Sequence, residues 1–295
     1  MTVYIGSNEI LDAKLGSDQV EKLYLGETEV WSNTPPTPPE PIKALKFSCE
    51  SSNGIYFPVD KLGTMTPSLE YSLDNGDTWT TWADLGTAVS FGNGTDLYLR
   101  GMNDILSTDG AYHCLHFTFS NNSNLVDCTG NIMHLFDYTQ DLTAFPSVSG
   151  TNGVGGMFNN CTALHSAPEL PATTLCNNCY TDLFRSCSNL IKPPKLPALT
   201  LVADCYHWMF RGCTNLEAIP ELPATTTATS CYQQMFYGCS KIKLSETQTG
   251  EYVNEFTLGK VPLSSQATDM FTNTGGTFTG VPTQLTYYTS NEVIS

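Results

Sequence analysis

The stretch that decides the fold reads Cys205-Tyr206-His207-Trp208-Met209-Phe210-Arg211-Gly212-Cys213-Thr214-Asn215-Leu216. Its pattern recurs with a period of 26 residues, and Pro-x-Leu-Pro-Ala recurs between the copies at 168–172, 194–198 and 220–224. Repeats of this length cannot bury an apolar face alone, so successive copies must stack. The sequence therefore predicts a solenoid of 26-residue repeats over 129–280, with irregular copies as caps at both ends. A solenoid offers an extended surface, which favours recognition over catalysis.

The spacing within one repeat predicts its local structure. Cys205, Met209 and Cys213 lie at i, i+4 and i+8, the spacing of one stripe on a short helix. The following residues, 216–222, read as a short extended segment. One helix and one strand per repeat is the plan of leucine-rich repeats, so we expect an α/β repeat, or one built mostly of short strands and helical turns.

Two segments precede the β-rich part of the chain. Residues 1–33 repeat a shorter pattern every ten residues, with glycine and polar residues between apolar ones, which predicts short strands joined by tight turns. So short a segment cannot form an adequate core, and we expect it to attach elsewhere through Tyr4, Tyr24 and Trp31. Residues 34–41 contain five prolines in eight positions, which favours a semi-rigid spacer and a domain boundary.

The region 42–128 has the alternating pattern of an all-β domain, and we predict a small β-sandwich. It contains Ser72-Leu73-Asp74-Asn75-Gly76-Asp77-Thr78-Trp79, which matches the Asp-box S-x-D-x-G-x-T-W. Asp and Gly shape a hairpin turn in this motif, and we expect Trp79 to pack beneath that turn. A single copy is typical of a structural turn. The last residues, 281–295, are interpreted as a C-terminal tail.

Charge and composition exclude several classes. The formal net charge is −16, and a chain this acidic repels phosphate backbones, so we expect no nucleic-acid partner. No apolar run is long enough to span a bilayer, and we expect no membrane insertion. The start of the chain lacks a basic region followed by an apolar stretch, so we expect no secretory signal.

Eleven cysteines are present, an odd number, and seven follow the 26-residue period. Equivalent positions of stacked repeats lie at the same depth, so we predict buried, reduced ladders, with zinc or disulfides as the alternatives. Cys176 and Cys179 have the spacing of a metal knuckle, but no second pair follows. The two ladders are 161/187/213/239 and 179/205/231.

We find no constellation that predicts catalysis, and we expect neither enzyme activity nor a cofactor. His113 and His116 would lie on opposite faces of an extended segment, which disfavours a metal pair. Asp74, Asp77 and Asp84 could supply a carboxylate pair for glycoside hydrolysis, but turn chemistry accounts for the first two. A glycan-active enzyme is therefore the third interpretation of this chain.

Differences between repeats indicate a contact surface. One position carries Asp182, Trp208 and Gln234, and because two of these are polar we expect it to face solvent, with Trp208 exposed. Three residues further along, on a neighbouring face of the predicted helix, stands an arginine or a tyrosine. Exposed aromatic and guanidinium pairs are enriched at binding surfaces, and packing of Trp208 over the next repeat is the alternative. The candidate binding residues are Trp208, Arg211, Arg185 and Tyr237.

The repeat, Leu-x-x-x-Pro-x-Leu-Pro-Ala followed by Cys-Tyr-x-x-Met-Phe-x-x-Cys-x-x-Leu, resembles the BspA-like leucine-rich repeats over half of the chain. The tract from Pro67 to Met133 looks like the β-domain joined to such repeats in proteins of gut Bacteroidales and their phages. The Leu-Gly-Ser-x-x-Val units of the start are similar to N-terminal segments of phage tail and fibre proteins.

These resemblances imply a non-enzymatic virion surface protein, a fibre or decoration protein of the crAss-like phage kind. They imply that residues 1–33 attach to other virion proteins, and that the repeats contact a host-surface glycan or protein. A homo-oligomer such as a trimer, and localisation to the virion after assembly in the host cytoplasm, follow from the same likeness. The alternative is a bacterial cell-surface adhesin. The family has no catalytic residues to transfer to this sequence.

Overall fold

The computed structural model describes residues 41–109, 112–146, 152–259, 265–278, 282 and 285–295, together with the strand backbone of the first 32 residues. The chain forms two compact units, an N-terminal unit, Met1–Ile42, and a main unit, Lys43–Ser295. The predicted spacer, 34–41, lies outside the described residues except for its last residue. The division between the two units falls at its end.

The described strands of the N-terminal unit form antiparallel pairs. Tyr4 pairs with Glu9, Lys14 with Gln19, and Tyr24 with Glu29, so the same pairing recurs every ten residues. The short strands predicted from the ten-residue pattern are therefore confirmed. The paired strands are β1 (Tyr4–Ile5) with β2 (Asn8–Glu9), β3 (Lys14–Leu15) with β4 (Asp18–Gln19), and β5 (Lys22–Leu25) with β6 (Thr28–Ser32).

The main unit is rich in short strands and nearly devoid of helix in its described residues. Its helical segments there are α1 (Val59–Leu62) and a 3-10 helix, Ile132–Leu135. Its strands are β7 (Leu45–Ser48), β8 (Asn53–Tyr56), β9 (Leu69–Ser72), β10 (Thr80–Thr81), β11 (Val89–Phe91), β12 (Leu97–Gly101), β13 (Thr118–Phe119), β14 (Val126–Thr129), β15 (Leu164–Ser166), β16 (Ala218–Pro220), β17 (Lys243–Ser245), β18 (Asn254–Thr257), β19 (Gly275–Gly276), β20 (Thr286–Thr289) and β21 (Glu292–Ile294).

Two sheets share the core of the first part of this unit. One has six strands in the order β10-β9-β12-β7-β14-β15, and the other has the order β11-β8-β13. Alternate residues of β7 are buried, as the period of a strand requires, and Phe47 packs on Phe117 and on Phe119 of the second sheet with ring centroids 5.2 and 6.4 Å apart. Because β14 pairs with β15, the boundary that the sequence suggests after residue 128 falls inside the larger sheet.

The segments that the sequence analysis assigns to short helices are runs of tight turns, so the predicted helix is wrong. Every fourth residue has a positive φ, as in Asp204 at +56°, Trp208 at +58° and Gly212 at +77°. The N–H groups of His207 and Met209 bond carbonyls three residues back, at 3.2 and 3.3 Å. A right-handed helix cannot pass through left-handed residues, whereas a turn with positive φ at its third position accommodates them.

The remaining N–H groups of these turns connect neighbouring repeats. Tyr206, Trp208 and Phe210 each donate to a carbonyl of the following repeat, at 3.0 Å in all three cases. The interior side chains continue this ladder as columns of like residues. Rings of the phenylalanine column lie 5.6 to 5.7 Å apart at small interplanar angles, at Phe158, Phe184, Phe210, Phe236 and Phe271.

The two cysteine ladders line this interior. All seven cysteines are buried, which confirms the predicted burial, and every cysteine of the chain is a free thiol. In the ladder that contains Cys213, each Sγ donates to a phenylalanine carbonyl of the preceding part of the chain; Cys213 contacts the Phe184 oxygen at 3.0 Å. The recurrent cysteine is thus a small apolar side chain that also ties each repeat to its predecessor.

The C-terminal residues, predicted as a tail, belong to the sheets. β20 pairs with β17 and β18, and β21 lies parallel to β16, which occupies the segment 216–222 expected to be extended. Asn291, between β20 and β21, is buried and donates to the carbonyls of Glu217 and Lys241 at 2.9 and 3.0 Å. The end of the chain therefore joins consecutive repeats.

Candidate recognition surface

The four candidate binding residues belong to two neighbouring columns, which we call the Arg–Trp patch. Asp182, Trp208 and Gln234 form one column, and Arg185, Arg211 and Tyr237 form the other. The first column occupies the left-handed position of the turn, with φ of +57°, +58° and +51°. Each residue of the second column donates its backbone N–H to the carbonyl of the first-column residue three positions earlier, at 3.0 to 3.2 Å. The turn geometry thereby places the two columns side by side.

The side chains of the four predicted binding residues lie together. The Arg185 guanidinium carbon is 5.0 Å from the centroid of the Trp208 ring, and that of Arg211 is 5.3 Å from the same ring. Arg211 also lies over Tyr237, at 4.8 Å. These distances are in the range of cation–π contacts, so guanidinium and aromatic groups alternate through successive repeats.

Trp208 is half-buried, which corrects the expectation that it is exposed. Its ring packs against two guanidinium groups and against the His207 ring, whose centroid lies 4.2 Å away. The inference of exposure from polar neighbours fails because Asp182, at the equivalent position, is itself only 6% exposed. The Trp208 Nε1 is buried and has no acceptor among the described residues.

Hydrogen bonds position both arginines of the patch, but only Arg185 is bonded to a carboxylate. Arg185 donates from Nη1 to Asp182 Oδ1 at 3.3 Å, and Arg211 donates from Nη1 to Gln234 Oε1 at 2.8 Å. Burial raises the pKa of Asp182, and the nearby Arg185 opposes that shift. Burial also lowers the pKa of His207, against the attraction of Asp204. Arg211, in contrast to Arg185, is bonded in this patch by a neutral amide.

The Trp208 backbone is strained. A left-handed conformation is uncommon for residues other than glycine, asparagine and aspartate, and in a bulky residue it is an outlier that costs on the order of 1–2 kcal/mol. Strain of this kind concentrates at ligand-binding positions, where it is retained for function. Trp208 is the one aromatic residue among the described non-glycine residues of positive φ.

A second group of arginine and aromatic side chains lies on the β-sheet around Arg100, and the sequence did not predict it. The Arg100 guanidinium lies 3.7 Å from the Trp79 ring and 4.0 Å from the Tyr138 ring, and its Nε and Nη2 both contact Glu70 Oε2 at 2.9 Å. Trp79 is half-buried and packs against Arg100, whereas the sequence predicted that it would pack beneath the turn. The tryptophan that enters the core is Trp82, which is 5% exposed.

The Asp-box is a hydrogen-bonded turn, as its sequence indicates. Asp74 Oδ1 accepts from the Ser72 hydroxyl at 2.7 Å and from the Thr78 N–H at 2.9 Å. These bonds stabilise the charged form and lower the pKa of Asp74 to about 2. Asp84 likewise bonds its own turn, at the Gly86 N–H and the Thr87 hydroxyl. The two carboxylates are thus committed to separate turns.

The candidate metal ligands are dispersed. His113 Nδ1 lies 3.8 Å from Asp109, whereas His116 Nε2 contacts the Asn159 carbonyl at 2.7 Å. The Cys176 and Cys179 pair closes a backbone turn, with the Cys179 N–H bonded to the Cys176 carbonyl at 3.2 Å. Within the described residues, no group of three or more His, Cys, Asp or Glu side chains could hold a metal ion.

The proposed attachment residues lie in the N-terminal strands. Tyr4 is in β1, Tyr24 in β5 and Trp31 in β6, where Trp31 pairs with Leu23. The side chains of these residues lie outside the part of the chain that the structure describes. Across the described ranges, no helix has the length and apolar character needed to cross a membrane.

Comparison of the chain with protein families, with curated proteins and with solved structures gives no match.

Proposed function

We propose that this chain is a non-enzymatic virion surface protein, a fibre or decoration protein, whose repeats recognise a host-surface ligand. The N-terminal unit is the attachment segment in this proposal, and the main unit is the displayed part. Support comes from the division of the chain at the proline-rich segment, since an attachment segment and a displayed domain need separate folding units.

The fold we propose for the repeats is a leucine-rich-repeat solenoid of the BspA-like kind, with turns in place of helices. Backbone bonds at a constant offset support it, as in Trp208 N–H to Gln233 oxygen and Phe210 N–H to Met235 oxygen, both at 3.0 Å. The stacked phenylalanine column supports it as well. Repeats that contact only their neighbours in this way extend a surface without needing a cleft.

The observation that carries the recognition role is the contrast between the interior and the patch. Interior positions repeat the same residues, such as Phe184, Phe210 and Phe236. The first column of the Arg–Trp patch, on an equivalent backbone, carries a different side chain in each of its three repeats: Asp182, Trp208 and Gln234. Stacking alone would tolerate any small polar residue at the left-handed position, so a strained tryptophan there supports a contact role.

Mass-spectrometric inventory of purified phage particles, followed by gold labelling of intact particles with antibody against 43–295, tests the proposal. We expect the chain in the particle and the label on its outer surface. Recovery of the chain from the bacterial envelope, with none in particles, would favour the adhesin alternative. Matched fractions from uninfected cells are the control.

A further inference from the structure

We infer that the Arg–Trp patch binds an acidic saccharide, with Arg185 and Arg211 meeting its carboxylate or sulfate groups and with Trp208 and Tyr237 providing apolar contact. This inference rests on the proposed recognition role and names the class of ligand. Three features of the patch support it: the placement of positive charge, the unused N–H groups of the two guanidinium groups, and the unfavourable conformation of Trp208.

The placement of charge is selective. The chain has a net charge of −16 and three arginines, of which two stand in consecutive repeats of this patch. The third, Arg100, is engaged elsewhere by Glu70. Guanidinium is the group best suited to planar recognition of carboxylate and sulfate-like anions, so its concentration in one patch of an acidic protein indicates an anionic ligand group.

Arg185 and Arg211 make fewer contacts with their guanidinium groups than Arg100 does. Arg100 lies within 4.0 Å of two rings and makes two bonds to one carboxylate. The aromatic contacts of Arg185 and Arg211 are longer, at 4.8 to 5.3 Å, and each guanidinium makes one side-chain hydrogen bond among the described residues. A guanidinium has more N–H groups than these bonds use, and the Arg185 side chain remains 35% exposed.

Trp208 is unfavourable in two respects. Its backbone is left-handed, and its buried Nε1 has no acceptor among the described residues. Asp182 and Gln234 fill the same position in neighbouring repeats, so the fold does not require an aromatic ring there. In this inference, the Trp208 ring orients the Arg185 and Arg211 guanidinium groups, which it contacts, toward a ligand.

A saccharide fits this chemistry better than an acidic polypeptide. A sugar offers C–H surface to aromatic side chains and hydroxyl groups to Gln234 and Asp269, which already bond each other at 3.4 Å. An acidic protein would bring dense negative charge toward a chain of −16, and long-range repulsion would oppose it. A saccharide with acid groups on only some rings meets the two guanidinium groups with less repulsion.

The test measures binding of defined probes to the full chain by calorimetry. The probes are tri-galacturonate, its uncharged methyl ester, a sulfated galacto-oligosaccharide and poly-glutamate. We expect tri-galacturonate or the sulfated probe to bind, and the methyl ester to bind at least about tenfold more weakly, since the anion–guanidinium contact is lost. The stronger of the two acidic probes identifies the anionic group.

The repeats themselves supply variants that should fold. Arg211→Asn installs the residue of the equivalent position 159, and Trp208→Gln installs that of 234. Each should weaken binding of the acidic probe by about tenfold or more, as expected for a central contact. A cooperative thermal transition in each variant verifies that it is folded. Lys195→Asn removes one positive charge from an exposed residue outside the patch and should leave affinity unchanged.

Three results would overturn the inference: equal binding of the ester and the acid, binding of poly-glutamate alone, and unchanged affinity in both patch variants. Adhesion of the same proteins to host cells separates this failure from that of the proposed function. A wild-type chain that adheres to cells, with adhesion undiminished in Trp208→Gln, refutes the site and leaves recognition standing. A wild-type chain that binds the acidic probe but no cells supports the site and refutes the host role.

Discussion

The recurrent cysteine illustrates how one residue serves two needs of a stacked repeat. Cys213 is fully buried, and its Sγ donates to the Phe184 carbonyl at 3.0 Å, with the same geometry in the repeats on either side. Burial raises the pKa of Cys213 well above its usual range, so the thiol stays protonated and able to donate. The Phe184 oxygen also accepts the Cys187 N–H at 3.1 Å, so the thiol supplies a second hydrogen bond that a purely apolar residue could not make.

Cys213→Ala should therefore lower the free energy of unfolding by about 1–2 kcal/mol, from the cavity and the lost hydrogen bond together. Cys213→Ser, which keeps a donor, should lower it less. Urea denaturation of the two variants checks the order. Thiol labelling of the folded protein is the companion measurement, and rapid modification of most ladder cysteines, ahead of the half-buried Cys49 and Cys176, would contradict the burial of the ladder.

His116 predicts a pH dependence of stability. It bonds the Asn159 carbonyl at 2.7 Å, and burial lowers its pKa from 6.5. As pH falls through 6.5, the unfolded chain takes up a proton that the folded chain resists, so the unfolded state binds more protons and stability falls. Urea titrations between pH 7.5 and 5.5, chosen to span roughly one unit on each side of that value, should show the loss.

His116→Gln should flatten part of this slope, with a remainder from His207, whose pKa is lowered in the same direction. Asp182, whose pKa is raised, acts with the opposite sign, because folding favours its protonated form and its contribution falls as pH rises above the ordinary carboxyl range. If the stability of His116→Gln depends on pH as steeply as that of the wild type, His116 is not a source of the pH dependence.

At the scale of the element, the repeat period is readable from sequence but the local conformation is not. A spacing of four residues between Cys205 and Met209 fits a helical stripe, and it fits equally a chain of turns that advances four residues at a time. The distinguishing signal was present. Asp204 and Gly212 are residue types that readily adopt positive φ and are common in turns. Their placement at a multiple of four residues indicates successive turns, because a helix disfavours both types.

The patch shows the same limit. Phase alone places Arg185, Trp208, Arg211 and Tyr237 near one another, and the structure brings them together. The pairing of Trp208 with Arg211 was expected, but phase does not show where long side chains fold, and so the contact of Arg185 with the same ring was not predicted. The Arg100 cluster was missed because its partners come from three separate segments of the sequence.

Asn291 gives a prediction for the C-terminal strands. It donates to the Glu217 and Lys241 carbonyls and accepts from the Lys243 N–H at 2.7 Å, so one side chain satisfies three backbone groups. Asn291→Ala should lower the free energy of unfolding by about 2–4 kcal/mol, because three backbone groups lose a part-buried hydrogen-bond partner at once. Thermal or urea unfolding measures it.

The neighbouring Glu292 is the control. It pairs with Lys192 at 2.7 Å, but both side chains are more than half exposed, so Glu292→Ala should change stability by less than about 1 kcal/mol. An equal loss of free energy of unfolding in Asn291→Ala and Glu292→Ala would contradict the special role of the Asn291 side chain in holding β21.

At the scale of the whole molecule, one boundary was accessible from sequence and one was not. Five prolines in 34–41 indicate the end of the N-terminal unit, since proline restricts the backbone and interrupts pairing. The region 42–128 and the repeats belong to the same main unit, because β14 finds a parallel partner in β15 of the first repeats and Phe117 stacks on Phe158 at 4.6 Å. A sequence pattern shows a strand but not its partner.

The division into two units leads to the last prediction. Deletion of residues 1–33 should leave the main unit folded, because its core lies entirely within Lys43–Ser295. Circular dichroism and the melting temperature of the truncated chain should match those of the full chain. The same deletion should abolish incorporation into particles, measured by immunoblot of purified virions, if the N-terminal strands are the attachment segment. Replacing 34–41 by a flexible linker of equal length, with residues 1–33 kept, is the control and should preserve incorporation if residues 1–33 alone carry the attachment. Normal incorporation of the truncated chain would transfer the attachment role to the main unit.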